Sequence, residues 1–327
     1  MRTAIMLITS ALLLAACDRN EPRTDNGAGI HPAVSALQGD ATLNQPDTTR
    51  IAAVRQCMEA VRPLHRIMGP ARAGDWLATY HEPGQTFAEY LACEPIFPSD
   101  ARRAIHVLPI GRFTATQRRV IALAAEYIHL CYGLPVAVDG ALPSAAIPRN
   151  ARRRAPRGGT LQIRTSWIID SLLYPRLPRD AMSLIAFTDT DLWPGDDMNF
   201  VFGQGSTRLR TGVWSLFRFG SPNATRGAFT QLLARTLKCS THELGHMFSM
   251  LHCTRYECNM NGCNSLEEMD RHPLAFCPEC AAKIWWATGI DPRERCATLA
   301  GFCERHGLAQ EAALLRMELN RLTASHR

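Results

Sequence analysis

From about residue 50 to the end of the chain, apolar residues recur with helical or strand periodicity, and this pattern predicts a mixed α/β protein. Helical spacing covers the segments 50–61, 86–92, 114–131, 161–173, 228–251, 281–287 and 292–322. Short apolar runs predict strands at 104–110, 134–138, 182–188, 199–203 and 213–219. A loop rich in Gly, Arg and Thr separates the last two runs, so we expect them to form an antiparallel hairpin.

The first 17 residues have a different pattern, with one arginine followed by an apolar run that ends in Leu-Ala-Ala-Cys. The run is too short to span a bilayer but suits the apolar region of a secretory signal. Its end resembles the lipobox of bacterial lipoproteins, which implies that Cys17 is lipidated and becomes the mature amino terminus. An ordinary signal peptide and a short core helix are the alternatives.

Residues 18–48 are rich in Asp, Asn, Gly and Pro without a sustained period, which predicts a flexible tether. We therefore expect a domain that is anchored at the bacterial cell envelope through Cys17 and faces the periplasm. In the sorting pattern of bacterial lipoproteins, Asp18 favours the inner membrane over the outer membrane. The predicted organisation is a signal segment, a tether, a main domain and a helical segment, at 1–17, 18–48, 49–290 and 291–327.

The charge of the chain gives no sign of a nucleic-acid partner. The formal net charge is +6, and only two of the 36 basic residues are lysines. The arginines are spread along the chain beside 30 acidic residues, whereas a phosphate-binding surface needs its positive charge on one face. Five arginines do cluster at 149–157, next to Pro and Gly, and we interpret them as a solvated loop rather than an anion-binding patch.

The predicted helix 228–251 contains the motif His242-Glu243-Leu244-Gly245-His246. Histidines four positions apart lie on one face of a helix, so both imidazoles can reach one zinc ion, with Glu243 beside the open position of the metal. The alternative is a helix whose two histidines are exposed or packed in the core.

A third histidine, His252, follows six residues after His246, where a turn beyond the helix can bring it to the same metal. Three neutral ligands leave one position for a water molecule, whose pKa zinc lowers to about neutral, so Glu243 can take its proton. Glu267 and Glu268 are the alternative third ligands.

Four of the twelve cysteines follow closely, and the last two form a Cys-Pro-Glu-Cys pair. This cluster consists of Cys253, Cys258, Cys277 and Cys280. Four thiolates make a closed tetrahedral zinc site, which is structural rather than catalytic. Two disulfides are the alternative in an oxidising compartment. A third interpretation is a redox-active pair of Cys277 and Cys280, although no thioredoxin-like βαβ pattern surrounds it.

Taken together, residues 242–280 resemble the motif of the archaemetzincin family of zinc peptidases, HExxHxxGxxHC with a second Cys, a nearby Met and a closing CxxC. The stretches 189–204 and 262–280 also look like animal archaemetzincins, and we expect the similarity to begin near Pro70. The motif is matched at His242, Glu243, His246, His252, Cys253, Cys258, Met260, Cys277 and Cys280.

The resemblance implies a metzincin-like catalytic domain, with a mixed β-sheet packed against helices and HExxH on the active-site helix. It implies two zinc ions, a catalytic one on the three histidines and a structural one on the four cysteines. It also makes Glu243 the general base and then the general acid, and Met260 the Met-turn residue beneath the metal. The implied activity is hydrolysis of peptides, oligopeptide-like or aminopeptidase-like, and we expect a monomer.

A rival hypothesis from another class is a zinc-stabilised peptide-binding or envelope scaffold protein with a vestigial active site. The presence of Glu243 argues against it, because a purely structural zinc site does not need that carboxylate. Ser249 argues mildly for it, since it stands where the family has a glycine with φ > 0, and a side chain there costs about 1 kcal/mol or more. We expect the site to form with slight strain.

Three further expectations concern the rest of the chain. Tyr256 is a weak candidate for stabilising the oxyanion of the transition state. The helical segment 292–322 is expected to pack against the main domain rather than to bind a partner. Seven cysteines have no assigned partner, namely Cys57, Cys93, Cys131, Cys239, Cys263, Cys296 and Cys303.

Overall fold

The computed structural model of the chain describes residues 48–195, 198–220 and 225–324. Cys17, Asp18 and the tether as far as residue 47 lie outside these ranges. The helices are α1 (Thr48–Val61), α2 (Trp76–Thr79), α3 (Phe87–Ala92), α4 (Ala115–Tyr132), α5 (Thr165–Trp167), α6 (Arg226–Met247), α7 (Leu266–Arg271), α8 (Pro278–Thr288), α9 (Pro292–Arg305) and α10 (Ala309–Ala324). The strands are β1 (Ala104–Ile110), β2 (Val136–Val138), β3 (Arg152–Arg154), β4 (Leu161–Arg164), β5 (Ala181–Thr188), β6 (Asp191–Trp193), β7 (Gly203–Ser206) and β8 (Thr211–Ser215).

The main sheet has five strands in the order β2-β1-β5-β8-β7. Strand β5 lies at its centre and is buried along its whole length, as expected for an apolar strand covered on both faces. All neighbouring pairs are parallel except β7 and β8, which pair in antiparallel register with Gly205 opposite Gly212. The predicted mixed α/β class is therefore confirmed. Strand β7 lies at one edge of the described main sheet, beyond β8.

The principal hydrophobic core lies between the main sheet and the helices that cover it, with α6 packed against both α4 and β7. Helix α4 begins at a capping box formed by Thr114 and Gln117 and ends at Gly133, whose φ of 64° suits the left-handed helix end. A second core packs the π-helical segment Ile168–Leu173, which continues α5, against the opposite face of the sheet. The sheet is thus covered on both faces.

Helices α9 and α10 pack against each other and against α4 and α1 respectively. Their buried apolar residues, including Phe302 and Leu322, belong to the principal core. The 292–322 segment is interrupted after Arg305, where Gly307 has a φ of 75°, so it forms two helices instead of one. Among the described residues, no helix combines the length and the apolar character that crossing a bilayer requires.

Three more predicted elements are corrected by the structure. Residues 161–164 form β4 rather than the start of a helix, because they pair with β3 and β6 and bury Gln162 and Ile163. The predicted hairpin exists, but its strands are β7 and β8, shifted toward each other relative to 199–203 and 213–219. Helix α6 ends at Met247, short of residue 251, because the chain turns at Ser249 with a φ of 64°.

Only the centre of the arginine cluster at 149–157 lies in a strand, within a small three-stranded sheet of β3, β4 and β6, whereas Arg149 and Arg157 lie outside the strand and are exposed. Arg152–Arg154 form β3, which pairs with β4. The Arg152 guanidinium donates to the backbone oxygen of Ile147, and Arg153 lies over the ring of Trp193 at 4.1 Å. These contacts give the central arginines of the cluster structural roles.

Candidate active site and metal centres

The three histidines predicted to share a metal come together at the end of α6. His242 and His246 lie on successive turns of the helix, and His252 returns to them after the turn that follows it. One ring nitrogen from each imidazole can be chosen so that all three lie within 4.8 Å of one another. His246 and His252 are buried and His242 is partly buried, so most of the cluster lies below the protein surface.

The rings on α6 are held by backbone carbonyl groups. Nδ1 of His242 donates to the Asn259 oxygen at 2.8 Å, and Nδ1 of His246 donates to the Met250 oxygen at 2.7 Å. Because a carbonyl oxygen can only accept, each Nδ1 carries the proton and each Nε2 has a free lone pair in the neutral ring. Burial, together with the neighbouring imidazoles, lowers the pKa of His242 to about 3 and that of His246 well below its usual value.

The two Nε2 atoms of His242 and His246 lie 2.9 Å apart, although neither has a proton to share with the other. Two lone pairs at this distance repel each other, whereas a cation between them can be bound by both. Neutral imidazole nitrogen is a preferred ligand of zinc. The donor set and its protonation therefore fit a zinc ion.

His252 is held by a carboxylate that the sequence analysis did not single out. Its Nδ1 lies 2.9 Å from Glu82 Oε2 and 3.0 Å from Oε1. Burial raises the pKa of Glu82, but the hydrogen bond and charge of His252 outweigh this and hold the pKa below its usual value. No local sequence signal identifies Glu82, since it lies 170 positions before His252.

Glu243 lies between the histidine cluster and the terminal strand β7. A backbone hydrogen bond from Gly205 reaches its carboxylate, but burial dominates and raises the pKa of Glu243 to about 7. The strand can approach this closely because Gly203 and Gly205 have no side chain. A Cβ added at Gly203 would lie 3.3 Å from Glu243 Cγ, and one at Gly205 would lie 3.3 Å from Met247 Cε. Glu243 thus lies against strand β7 and is partly buried.

The four cysteines of the second cluster converge as well, all buried and with their sulfur atoms within 4.8 Å of one another. None is oxidised: the Cys253 and Cys277 sulfurs are 3.7 Å apart, far beyond the ~2.05 Å of a disulfide. Cys258 Sγ also accepts backbone N–H groups from Met260 at 3.4 Å and Cys277 at 3.2 Å. Sulfurs that accept N–H bonds and surround one point fit a tetrahedral zinc ion and do not form the disulfides considered as the alternative.

Met260 packs against α6 at the one glycine of the HExxH motif. A Cβ added at Gly245 would lie 2.6 Å from Met260 Sδ, so only glycine admits the thioether here. Met260 is fully buried, and its carbonyl oxygen accepts from the Cys253 amide at 2.7 Å. The residue expected at the Met-turn therefore lies against the helix between the first two histidines.

Two alternatives from the sequence are excluded by their surroundings. The Glu268 carboxylate accepts from the backbone amides of Trp76 and Asn264, and Glu267 is exposed, so neither is at the histidine cluster. The Tyr256 hydroxyl accepts from Arg62 within the protein, and its ring is buried. It therefore does not serve as the oxyanion stabiliser.

Comparisons with known proteins identify the family of the chain. The model of peptidase family M54 matches residues 180–285, which contain α6 and both clusters. Archaemetzincin-2 of Macaca fascicularis and that of Homo sapiens are each 31% identical over 276 residues, covering 72% of this chain and 75% of the relative. Archaemetzincin of Thermococcus kodakarensis is 37% identical over 105 residues, which cover 32% of this chain and 56% of the relative.

Among solved structures, archaemetzincin of Methanopyrus kandleri is similar with a TM-score of 0.46 and 24% identity, covering 59% of this chain and 99% of that one. The similarity to the two animal relatives covers 72% of this chain and therefore extends well beyond the metal-binding motif. The chain belongs to the archaemetzincin family, peptidase family M54, and is a zinc metallopeptidase.

Proposed function

We propose that the three histidines hold a catalytic zinc at which the protein hydrolyses peptide bonds, with Glu243 as general base and then general acid. The observation that carries this proposal is the convergence of one ring nitrogen from each of the three histidines, with the partly buried Glu243 next to His242 on α6 and against strand β7. Zinc bound by three imidazoles supplies a Lewis acid for a carbonyl oxygen and lowers the pKa of water.

Glu243 is suited to move a proton in both directions. Without a metal ion, burial raises the pKa of Glu243 to about 7. A zinc ion nearby would lower this pKa and favour the carboxylate form, which can take a proton from water and return it to the leaving amine. The carboxylate lies close to the backbone of Gly205, since a Cβ added there would lie 3.5 Å from Glu243 Oε2.

Strand β7 supports a substrate bound in extended form. One edge of β7 pairs with β8, and β7 is terminal in the described sheet, next to Glu243. A peptide that adds to the other edge binds through main-chain hydrogen bonds, which are nearly independent of sequence. We therefore propose oligopeptides as the substrate class.

The four cysteines hold a second zinc in this proposal, and its role is structural. All four sulfurs are protein ligands, which leaves no position for water or substrate. Cys253 directly follows His252, so this ion fixes the position of the third histidine.

Metal analysis combined with cleavage of a peptide library tests the proposal, using the wild type and Glu243→Ala. We expect two zinc ions in both proteins and cleavage by the wild type alone. Two zinc ions without cleavage by either protein would instead support the scaffold hypothesis. Peptides with blocked amino termini in the same library distinguish endopeptidase from aminopeptidase action, because only an endopeptidase cleaves them.

We also propose that a lipid on Cys17 anchors the protein at the periplasmic side of the envelope, with Asp18 retaining it at the inner membrane. The lipobox-like end of the apolar segment supports this. Cys17→Ala is expected to release the protein from the membrane fraction, and an unchanged distribution contradicts the anchor.

A further inference from the structure

The segment 82–96, here called the strap, crosses the turn that joins the second and third histidines. The Tyr90 hydroxyl donates to the backbone oxygen of Phe248 at 2.9 Å. The Ile96 amide donates to the Ser249 hydroxyl at 3.0 Å. The strap therefore contacts the turn at the residue whose φ of 64° is unusual for a non-glycine.

Gln85 joins the same turn to helix α8. Its Oε1 accepts from the Leu251 amide at 3.1 Å, and its Nε2 donates to the Ser249 oxygen at 3.4 Å. Lys283, buried on α8, donates to the Gln85 backbone oxygen at 2.6 Å. Because α8 starts at the Cys-Pro-Glu-Cys pair, the strap connects the cysteine cluster with the turn before His252.

The beginning of the strap reaches the third histidine itself. Glu82 accepts from His252 Nδ1 with both oxygens within 3.0 Å. Two residues later Gly84 has a φ of 73°, and a Cβ there would lie 2.3 Å from Thr254 Oγ1. The backbone at Gly84 therefore lies in close contact with Thr254, in the segment that follows His252, and only glycine allows this approach.

We propose that the strap positions the third zinc ligand: Glu82 fixes the tautomer and direction of the His252 ring, while Gln85 and Ile96 hold the preceding turn. This inference rests on the proposed zinc site of the three histidines. Glu82 is a positioning residue, since it acts through His252 and lies on the far side of the ring from the metal-facing Nε2.

His252 needs such a partner more than the other two histidines. His242 and His246 lie on a regular helix and donate to backbone oxygens, whereas His252 lies beyond the helix and donates to a side chain. A carboxylate acceptor also makes the imidazole a stronger ligand, and losing such a partner typically weakens zinc binding by roughly 10–100-fold.

Zinc competition with a chelator tests the proposal on the full protein, in the wild type, Glu82→Ala and Glu82→Gln. For Glu82→Ala we expect zinc affinity at the histidine site to fall by roughly 10–100-fold, and for Glu82→Gln, which keeps an acceptor, by less. Glu94→Gln is the matched control, because Glu94 lies on the strap but is exposed. Equal affinities in all four proteins overturn the proposal.

A second readout separates positioning from general destabilisation. In the zinc-loaded wild type, the Nδ1–H proton of His252 is expected to give a slowly exchanging NMR signal. This signal should shift upfield in Glu82→Gln and be lost to exchange in Glu82→Ala, while those of His242 and His246 stay. An unmoved His252 signal in both variants contradicts the role of Glu82.

Failure of this inference differs from failure of the proposed function. If the wild type binds no zinc at the histidines, the proposed catalytic site itself is wrong. The absorption of cobalt bound to the four thiolates reports folding of each variant, so an altered thiolate spectrum in Glu82→Ala assigns its effect to misfolding and overturns the positioning role.

Discussion

His252 and Cys253 are consecutive residues, and each belongs to a different cluster of metal-ligand side chains. The cysteine cluster is buried and offers four sulfur ligands, whereas the histidine cluster offers three nitrogen ligands and is partly exposed at His242. The peptide bond between these residues therefore links the histidine cluster directly to the cysteine cluster. A change in either cluster should affect the other.

Loss of a cysteine ligand is the first consequence to test. Cys258→Ser should remove the structural zinc, lower the free energy of unfolding by about 3 kcal/mol or more, and weaken zinc binding at the histidines through His252. Zinc content and denaturant unfolding measure this. Cys57→Ser, at a half-buried cysteine outside the cluster, should keep both ions. A Cys258→Ser protein with two zinc ions and wild-type stability contradicts the structural role.

Metal removal should occur in two steps. The histidines supply three ligands and so leave one zinc position for a chelator, whereas the four thiolates leave none. We therefore expect the first equivalent of zinc to leave with loss of activity and little change in circular dichroism, and the second to leave with unfolding. Stopped-flow chelation followed by both signals checks the order, and simultaneous release of both ions speaks against it.

Substitutions of Ser249 compare the cost of its backbone strain with the stabilisation from its hydrogen bond to Ile96. Ser249→Ala keeps the positive φ but loses the bond from the Ile96 amide, which should lower stability by about 1 kcal/mol. Ser249→Gly loses the same bond but relieves a strain of similar size, so its stability should stay near the wild type. Denaturant unfolding of the three proteins gives the order, and an alanine variant as stable as the glycine variant contradicts this balance.

The glycines of β7 should be sensitive to the smallest side chain. A Cβ at Gly203 would meet Trp214, Cys239 and Glu243 at 3.1–3.3 Å. Gly203→Ala should therefore lower stability by about 1–3 kcal/mol and move the strand away from Glu243, which lowers kcat/KM. Gly69→Ala is the control, because a Cβ there meets nothing within 4 Å. Equal effects of the two substitutions would show that β7 is not tightly packed on α6.

Local spacing made part of this protein predictable from its sequence. The helical repeat places His242 and His246 on one face, and the CxxC pair places two sulfurs together, because both relations depend only on neighbouring residues. The apolar runs predicted the central strands for the same reason. The end of α6 was predicted too late, since the break depends on how Ser249 is held by another segment.

Contacts between segments far apart in the sequence determine the features of the site and fold that local spacing does not predict. Glu82 reaches His252 from 170 positions away, and Gly205 reaches Glu243 only because β7 lies across α6. Residues 161–164 became a strand because partners elsewhere in the chain complete their hydrogen bonds. By itself the sequence determined which residues can bind metal and take a proton. Only the tertiary structure decided which groups orient them, because those contacts arise from packing between segments that have no common local pattern.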